Sequence, residues 1–166
     1  MYCLGVKIYN SRSLIRFISA AAVFCAINLS HAATVQVGDS FPRMPSMQDQ
    51  HEQAYSWPTP LRHVAVSFSM TVGKAANGYF EAKGADYLTK NDAVFVANIY
   101  GMPAVGRFFA MPKMRKYPHR IMLADAENVL SDFPQQEEKV TVFDLDSKGQ
   151  IQGIRYWDPK TAENPF

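Results

Sequence analysis

The residues best suited to covalent chemistry in this 166-residue chain are its two cysteines, Cys3 and Cys25. A thiolate attacks disulfides and peroxides, and a pair of thiols stores two electrons. Both cysteines fall in an amino-terminal stretch with the three parts of a secretory signal. Lys7, Arg12 and Arg16 supply positive charge with no acidic residue among them, and Phe17–Leu29 is an apolar run. Ser30-His31-Ala32 then places small side chains three and one residues before a cut after Ala32. A spanning helix needs about 20 apolar residues, so the run is short for an anchor, which is the alternative to cleavage. Bulky Phe24 precedes Cys25, where a lipid-attachment site wants a small residue. The expected product starts at Ala33, is periplasmic or secreted, and contains no thiol.

The remaining chemistry-bearing groups are scattered. Only His51, His63 and His119 follow Ala32, with no pair at helical or turn spacing and no cysteine to complete a metal set. Asp144-x-Asp146-x-Lys148-Gly149 opens like a calcium loop, but Lys148 blocks one ligand position and Arg155 stands where the closing glutamate belongs, so a hairpin turn is expected. Gly101 and Gly106-Arg107 mimic the start of a phosphate loop, yet Arg107-Phe108 replaces the Lys-Ser/Thr pair that would touch phosphate and magnesium. Ser67 and Ser69 lie on a strand without a G-x-S-x-G turn, and His63 is read as structural. Neither catalytic residues nor a metal are expected.

Removal of the signal takes away 3 of the 17 basic residues and none of the 15 acidic ones, so a net charge of +2 becomes −1. That balance gives no reason to expect nucleic acid, or a membrane after cleavage, as a partner. Lys113, Arg115, Lys116, His119 and Arg120 do form a basic group. Interleaved with Met111, Met114 and Tyr117, it is a candidate surface for an acidic protein partner, centred on Lys113, Arg115, Lys116 and Tyr117.

These residues need a scaffold, and the order of elements suggests one domain. Residues 33–60 read as an N-terminal β-hairpin or arm, with Phe41, Met44, Tyr55 and Trp57 apolar enough to pack. His63–Met70 and Ala93–Tyr100 are β-branched runs, read as buried strands. Lys74 to Leu88 has helical spacing, with Ala75, Tyr79, Ala82 and Ala85 on one face. Met102–Met114 forms a second helix with Val105, Phe108 and Phe109 inward, and Pro112 ends or kinks it. Arg120–Ala124 is a short strand and Asp125–Ser131 a helical turn. Lys139–Asp146 and Gln150–Trp157 form a hairpin with Gly149 in the left-handed position. Strand and helix alternating, then a hairpin, give an αβ sandwich with parallel first strands.

Several segments carry a family likeness. Val37-Gly38-Asp39-Ser40-Phe41-Pro42, the hairpin-like Asp49-Gln50-His51-Glu52-Gln53, His119–Asp125 and Val140–Ile151 together resemble the peroxiredoxin/TlpA-like branch of the thioredoxin-like superfamily. Glu52 stands where the branch usually has glycine. The resemblance implies an α/β fold: a thioredoxin-like αβ sandwich over residues 61–166, a mixed sheet with a C-terminal β-hairpin, and a truncated final helix. It also implies a reactive cysteine just after the first core strand, where this chain has Ser69-Met70-Thr71-Val72 instead. The cis proline that the family places before the hairpin is replaced by Glu138-Lys139. The segments Asn98–Pro103 and Met111–Pro118 resemble short exported bacterial proteins labelled FAD/FMN-containing dehydrogenases.

The expected function is therefore a catalytically inactive binding or accessory module, with no cofactor. The alternative is a flavin-dependent oxidoreductase holding FAD or FMN non-covalently. The candidate ligand rim, at the carboxyl ends of the parallel strands, consists of Met70, Thr71, Tyr100, Met102 and Pro103. Only Asp158–Phe166 follows the hairpin, with two prolines. The sheet face left open is assigned to the arm with Trp57, and in part to a weak homodimer.

Overall fold

The computed structural model describes residues 34–44 and 47–166. The expected signal segment with Cys3 and Cys25, and the expected cleavage after Ala32, lie outside the described residues. Ten elements follow in order: β1 (Met47–Asp49), β2 (Ala54–Tyr55), β3 (His63–Ser67), α1 (Met70–Lys83), α2 (Tyr87–Lys90), β4 (Ala93–Asn98), α3 (Ala104–Met114), β5 (Met122–Ala124), β6 (Val140–Leu145) and β7 (Ile151–Trp157).

The strands form one seven-stranded sheet in the order β2-β1-β5-β4-β3-β6-β7. β3, β4 and β5 are parallel, and β6 and β7 add antiparallel beside β3. β3 and β4 are buried along nearly their whole length, because continuous apolar runs suit strands covered on both faces. Successive side chains alternate between those faces. Val64, Val66, Val94, Val96 and Phe143 point to one core, which Phe41, Met44, Leu130 and Phe133 cover. Ala65, Phe95, Ala97 and Val142 point to the other, which Val72, Ala76 and Phe80 of α1 cover.

α1 departs from the sequence expectation. It begins at Met70 rather than Lys74, because Ser69 is its N-cap: its Oγ accepts a hydrogen bond from Val72 N at 3.3 Å. The inward face is Val72, Gly73, Ala76, Asn77 and Phe80, whereas Ala82 and Ala85 are exposed. Burying Phe80 and Val72 removes more apolar surface than burying alanines, and that decides the rotation of the helix.

The covering of the open face is also different. Trp57 lies on the opposite side, 5.7 Å from Phe41 between ring centroids, with Nε1 donating to Met44 O at 3.2 Å. No helix follows β7 among the described residues; instead Pro159 and Pro165 are buried, and Phe166 packs against Phe80, Tyr87 and His63. Two prolines lack the amide hydrogens that a helix needs, so the segment covers the face as extended chain and turns.

The N-terminal hairpin is tied down by side chains. Asp49 accepts from the amides of His51 and Gln53 at 2.9 and 3.0 Å and from Arg120 Nε at 2.9 Å. Burial alone would raise its carboxyl, but these bonds outweigh it and hold Asp49 below its ordinary value. Glu52 has φ +64°, the left-handed conformation that glycine adopts without cost. The β6–β7 turn is closed by Gly149 at φ +81° and by Asp146 Oδ1, which accepts from the amides of Lys148 and Gln150 at 2.8 and 2.9 Å.

Candidate functional site

At the carboxyl ends of β3 and β4 the chain turns into α1 and α3, which lie on the same face of the sheet. α1 is bedded on the core, but α3 buries no residue. The cause is its inward stripe. Met102, Gly106, Ala110 and Met114, spaced four apart, line a groove of about 370 Å³ between the two helices. A Cβ added at Gly106 would stand 3.1 Å from Met102 Cγ, so a larger side chain would enter the space. Ser69, Met70, Gly73, Lys74 and Asn77 form the α1 wall, and Ala97, Asn98 and Ile99 the floor. Phe109, Lys113 and Tyr117 complete the α3 side.

The expectation that Val105, Phe108 and Phe109 turn inward is overturned. They are 69%, 74% and 61% exposed, and Phe108 and Phe109 pack edge to face at 5.3 Å. Arg107 fixes this rotation, since it pairs with Asp125 and donates to the carbonyls of Ile99 and Met102. Turning the phenylalanines inward would break those bonds. The same contacts occupy Arg107 of the phosphate-loop-like stretch, and Gly106 within α3 lines the groove.

The ligand rim is brought together only in part. Met70 and Met102 line the groove; Thr71 faces a separate depression with Phe68 and Gln135–Lys139. Tyr100 and Pro103 are exposed outside the groove lining. The basic group disperses as well. Arg115 donates to Gln50 O and pairs with Glu52, while Arg120 binds Asp49 and lies 4.4 Å from the Tyr55 ring. Both arginines therefore staple the β1–β2 hairpin to the sheet. His119 is buried, and Lys113 and Tyr117 belong to the groove. Lys116 alone of the four candidate residues stays exposed with no ion pair among the described residues and no place in the groove.

Asn77, which sequence reasoning missed, is with Ser67 one of the two buried polar residues lining the groove. Its Oδ1 lies 2.9 Å from His119 Nε2, and His119 is pushed down to about 4 by burial, so the imidazole is neutral. His63 lies elsewhere, 2.8 Å from Asp144 Oδ1, and Arg155 donates two bonds to the same carboxylate. Burial opposes ionisation of Asp144, but Arg155 and His63 outweigh it and hold the acid below its ordinary range. Asp144 and Asp146 are thus both engaged by the protein itself.

No protein-family model matches this chain, and no curated protein matches it. Solved structures similar to it include a thio-disulfide isomerase from Thermus thermophilus, at 18% identity and TM-score 0.47 over 74% of this chain and 87% of that one. A peroxiredoxin-like protein from Aquifex aeolicus is similar at 12% identity and TM-score 0.49, over 76% and 78%. A peroxidoxin from Mycobacterium tuberculosis is similar at 15% identity and TM-score 0.47, over 74% and 86%. The strand order and hairpin described above define the fold themselves: a thioredoxin-like αβ sandwich with a mixed sheet.

Proposed function

We propose that this chain is an exported binding module without thiol chemistry, which takes a small, largely apolar ligand in the groove between α1 and α3. The observation that carries this reading is the groove itself. Its volume of about 370 Å³ falls within the range of small-molecule sites, and apolar walls with few polar groups are typical of them. It lies at the carboxyl ends of parallel strands, where open αβ sheets form crevices. Small and flexible side chains on α3 keep it open. Ser69, Met70 and Thr71 occupy the start of α1, where thiol chemistry on this fold would need a cysteine. Export rests on the charged, apolar and small-residue parts of residues 1–32.

The test uses Nile red, a neutral apolar dye, as the probe. Fluorescence enhancement that saturates with the full chain, disappears in Gly106→Leu and persists in Phe108→Ser supports the groove. Dye binding unchanged in Gly106→Leu but lost in Phe108→Ser would assign it to the outer face of α3 and overturn the proposal. Mass spectrometry of periplasmic material is expected to show a chain starting at Ala33.

A further inference from the structure

The polar end of the groove has a chemistry of its own. Asn77 is 97% buried, being 3% exposed, and it lines the groove. His119 orients it. Nδ1 of His119 is buried with no partner, and an unpartnered N–H there would be costly, so the imidazole proton belongs on Nε2. Nε2 then donates to Asn77 Oδ1 at 2.9 Å. The amide nitrogen Nδ2 is thereby turned away from His119; it has no protein hydrogen-bond partner among the described residues and is not sealed from solvent, so it opens on the groove. A donor pair that opens on the groove without a protein acceptor is free to bond an acceptor of a ligand.

Two lysines line the same groove as that donor. The Tyr117 ring stacks on His119 at 5.6 Å, which sets Tyr117 beside Asn77, and Lys113 precedes Tyr117 by four residues on the same wall. Lys74 stands one turn before Asn77 on α1 and also lines the groove. Neither lysine pairs with a carboxylate among the described residues. The wall residues include no acidic side chain; Glu81, one turn beyond Asn77, is exposed and outside the groove, although its charge reaches Tyr117. The other end is apolar, with Ile99, Met102 and Phe109. From Ser69 to Asn77 the α1 wall is about 12 Å long at helical rise, room for a chain of several methylenes.

Resting on the reading of the groove as a ligand site, we propose that its ligand is a single-headed apolar anion, a medium-chain monocarboxylate. Its carboxylate accepts from Asn77 Nδ2 and faces Lys113 and Lys74, and its chain runs along Ile99, Met102 and Phe109. The lysines supply charge complementarity, Asn77 fixes the head, and the flexible methionines adapt to the tail.

The experiment is calorimetric titration of the full chain with decanoate and with decanol, which share a tail and differ in the head. Decanoate is expected to bind about tenfold more tightly than decanol. The double variant Lys74→Gln/Lys113→Gln, which changes only exposed side chains, is expected to erase that difference. Asn77→Asp, which keeps an acceptor for His119 and adds a negative charge, is expected to lose decanoate and retain decanol. Equal binding of the two ligands overturns the anionic head while leaving the groove a ligand site. Binding of neither, together with loss of the Nile red signal, overturns both. A preference for decanoate that survives the double lysine variant overturns the assigned location of the head.

Discussion

The ring of Phe166 lies parallel to that of Phe80, with centroids 6.1 Å apart and an interplanar angle of 3°. Phe80 is fully buried on α1, so the stack joins the carboxyl-terminal segment to the core of the α1 face. Tyr87 at 5.8 Å and His63 at 5.2 Å complete the surround of Phe166. Phe166→Ala is expected to lower unfolding stability by about 2 kcal/mol, below the range for fully buried phenylalanine because the ring is half-buried. Urea denaturation measures it, and a change under about 0.5 kcal/mol would show that the segment is only resting on the sheet.

His119 gives the stability of the fold a pH dependence above the carboxylate range. Burial lowers it from 6.5 to about 4, so between those values the unfolded chain binds a proton that the folded chain refuses. The stabilisation is complete above pH 6.5 and is lost as pH falls towards 4. The full effect is about 3 kcal/mol. Denaturation midpoints at pH 7 and pH 5 are expected to differ in the wild type, and the difference is expected to shrink in His119→Gln, which keeps a donor for Asn77.

Much of this architecture was legible in the sequence because one signal dominated locally. Val64–Val66 and Val94–Val96 are apolar without alternation, which only strands covered on both faces tolerate. Asp146 and Gly149 announced their turn by residue type, and Glu52 occupies the left-handed position where the family likeness has glycine. The rotation of α3 was not legible. Val105, Phe108 and Phe109 and the stripe Met102, Gly106, Ala110 and Met114 both have helical spacing, and size argues for the first as core. The second lies inward because Arg107 is anchored to Asp125 and two carbonyls. Pairing of Arg115 with Glu52 and of Arg120 with Asp49 spans 63 and 71 residues, a separation no local pattern encodes. What read as one basic surface is therefore two structural staples and a groove wall.

The Asp49 staple has a measurable weight. Asp49→Ala removes the acceptor for the amides of His51 and Gln53 and leaves Arg120 without its carboxylate. The expected loss is about 2 kcal/mol, with faster amide exchange in β1 and β2 than elsewhere in the sheet. Because its carboxyl is held below 3.8, the wild-type contribution is complete above that value and is lost as pH falls through the folded value. Uniform exchange across the sheet in Asp49→Ala would show that packing alone holds the hairpin.

The outer face of α3 is expected to drive weak self-association. Val105 and Phe108 lie on the exposed outer face of α3, with Phe109 at its edge beside the groove, and burial of this face between copies would return apolar surface to a dry environment. Sedimentation at increasing concentration is expected to show a reversible monomer–dimer equilibrium that Phe108→Ser weakens. Thermal stability of that variant should stay within about 0.5 kcal/mol of wild type, since the ring is mostly in water. A strict monomer at high concentration would remove the role of this face.

Redox inertness is the sharpest expectation drawn from the residues at the start of α1. A thiolate at a helix N-terminus is stabilised by the first-turn amides, and it is the species that attacks a disulfide or a peroxide. Here Ser69 Oγ accepts from Val72 N instead, acting as a cap, and Met70 offers only a thioether. A chain starting at Ala33 is expected neither to reduce insulin disulfides in the presence of dithiothreitol nor to consume hydrogen peroxide above a heat-inactivated control. Thr71→Cys separates fold from chemistry. Thr71 is exposed in the first turn of α1, so a cysteine there should react readily with a disulfide reagent. It should still fail to turn over insulin as a dithiol enzyme does, because the facing loop Gln135–Lys139 offers no second thiol to resolve a mixed disulfide. Turnover by the otherwise unaltered chain starting at Ala33 would mean that a chemistry independent of cysteine operates in this fold.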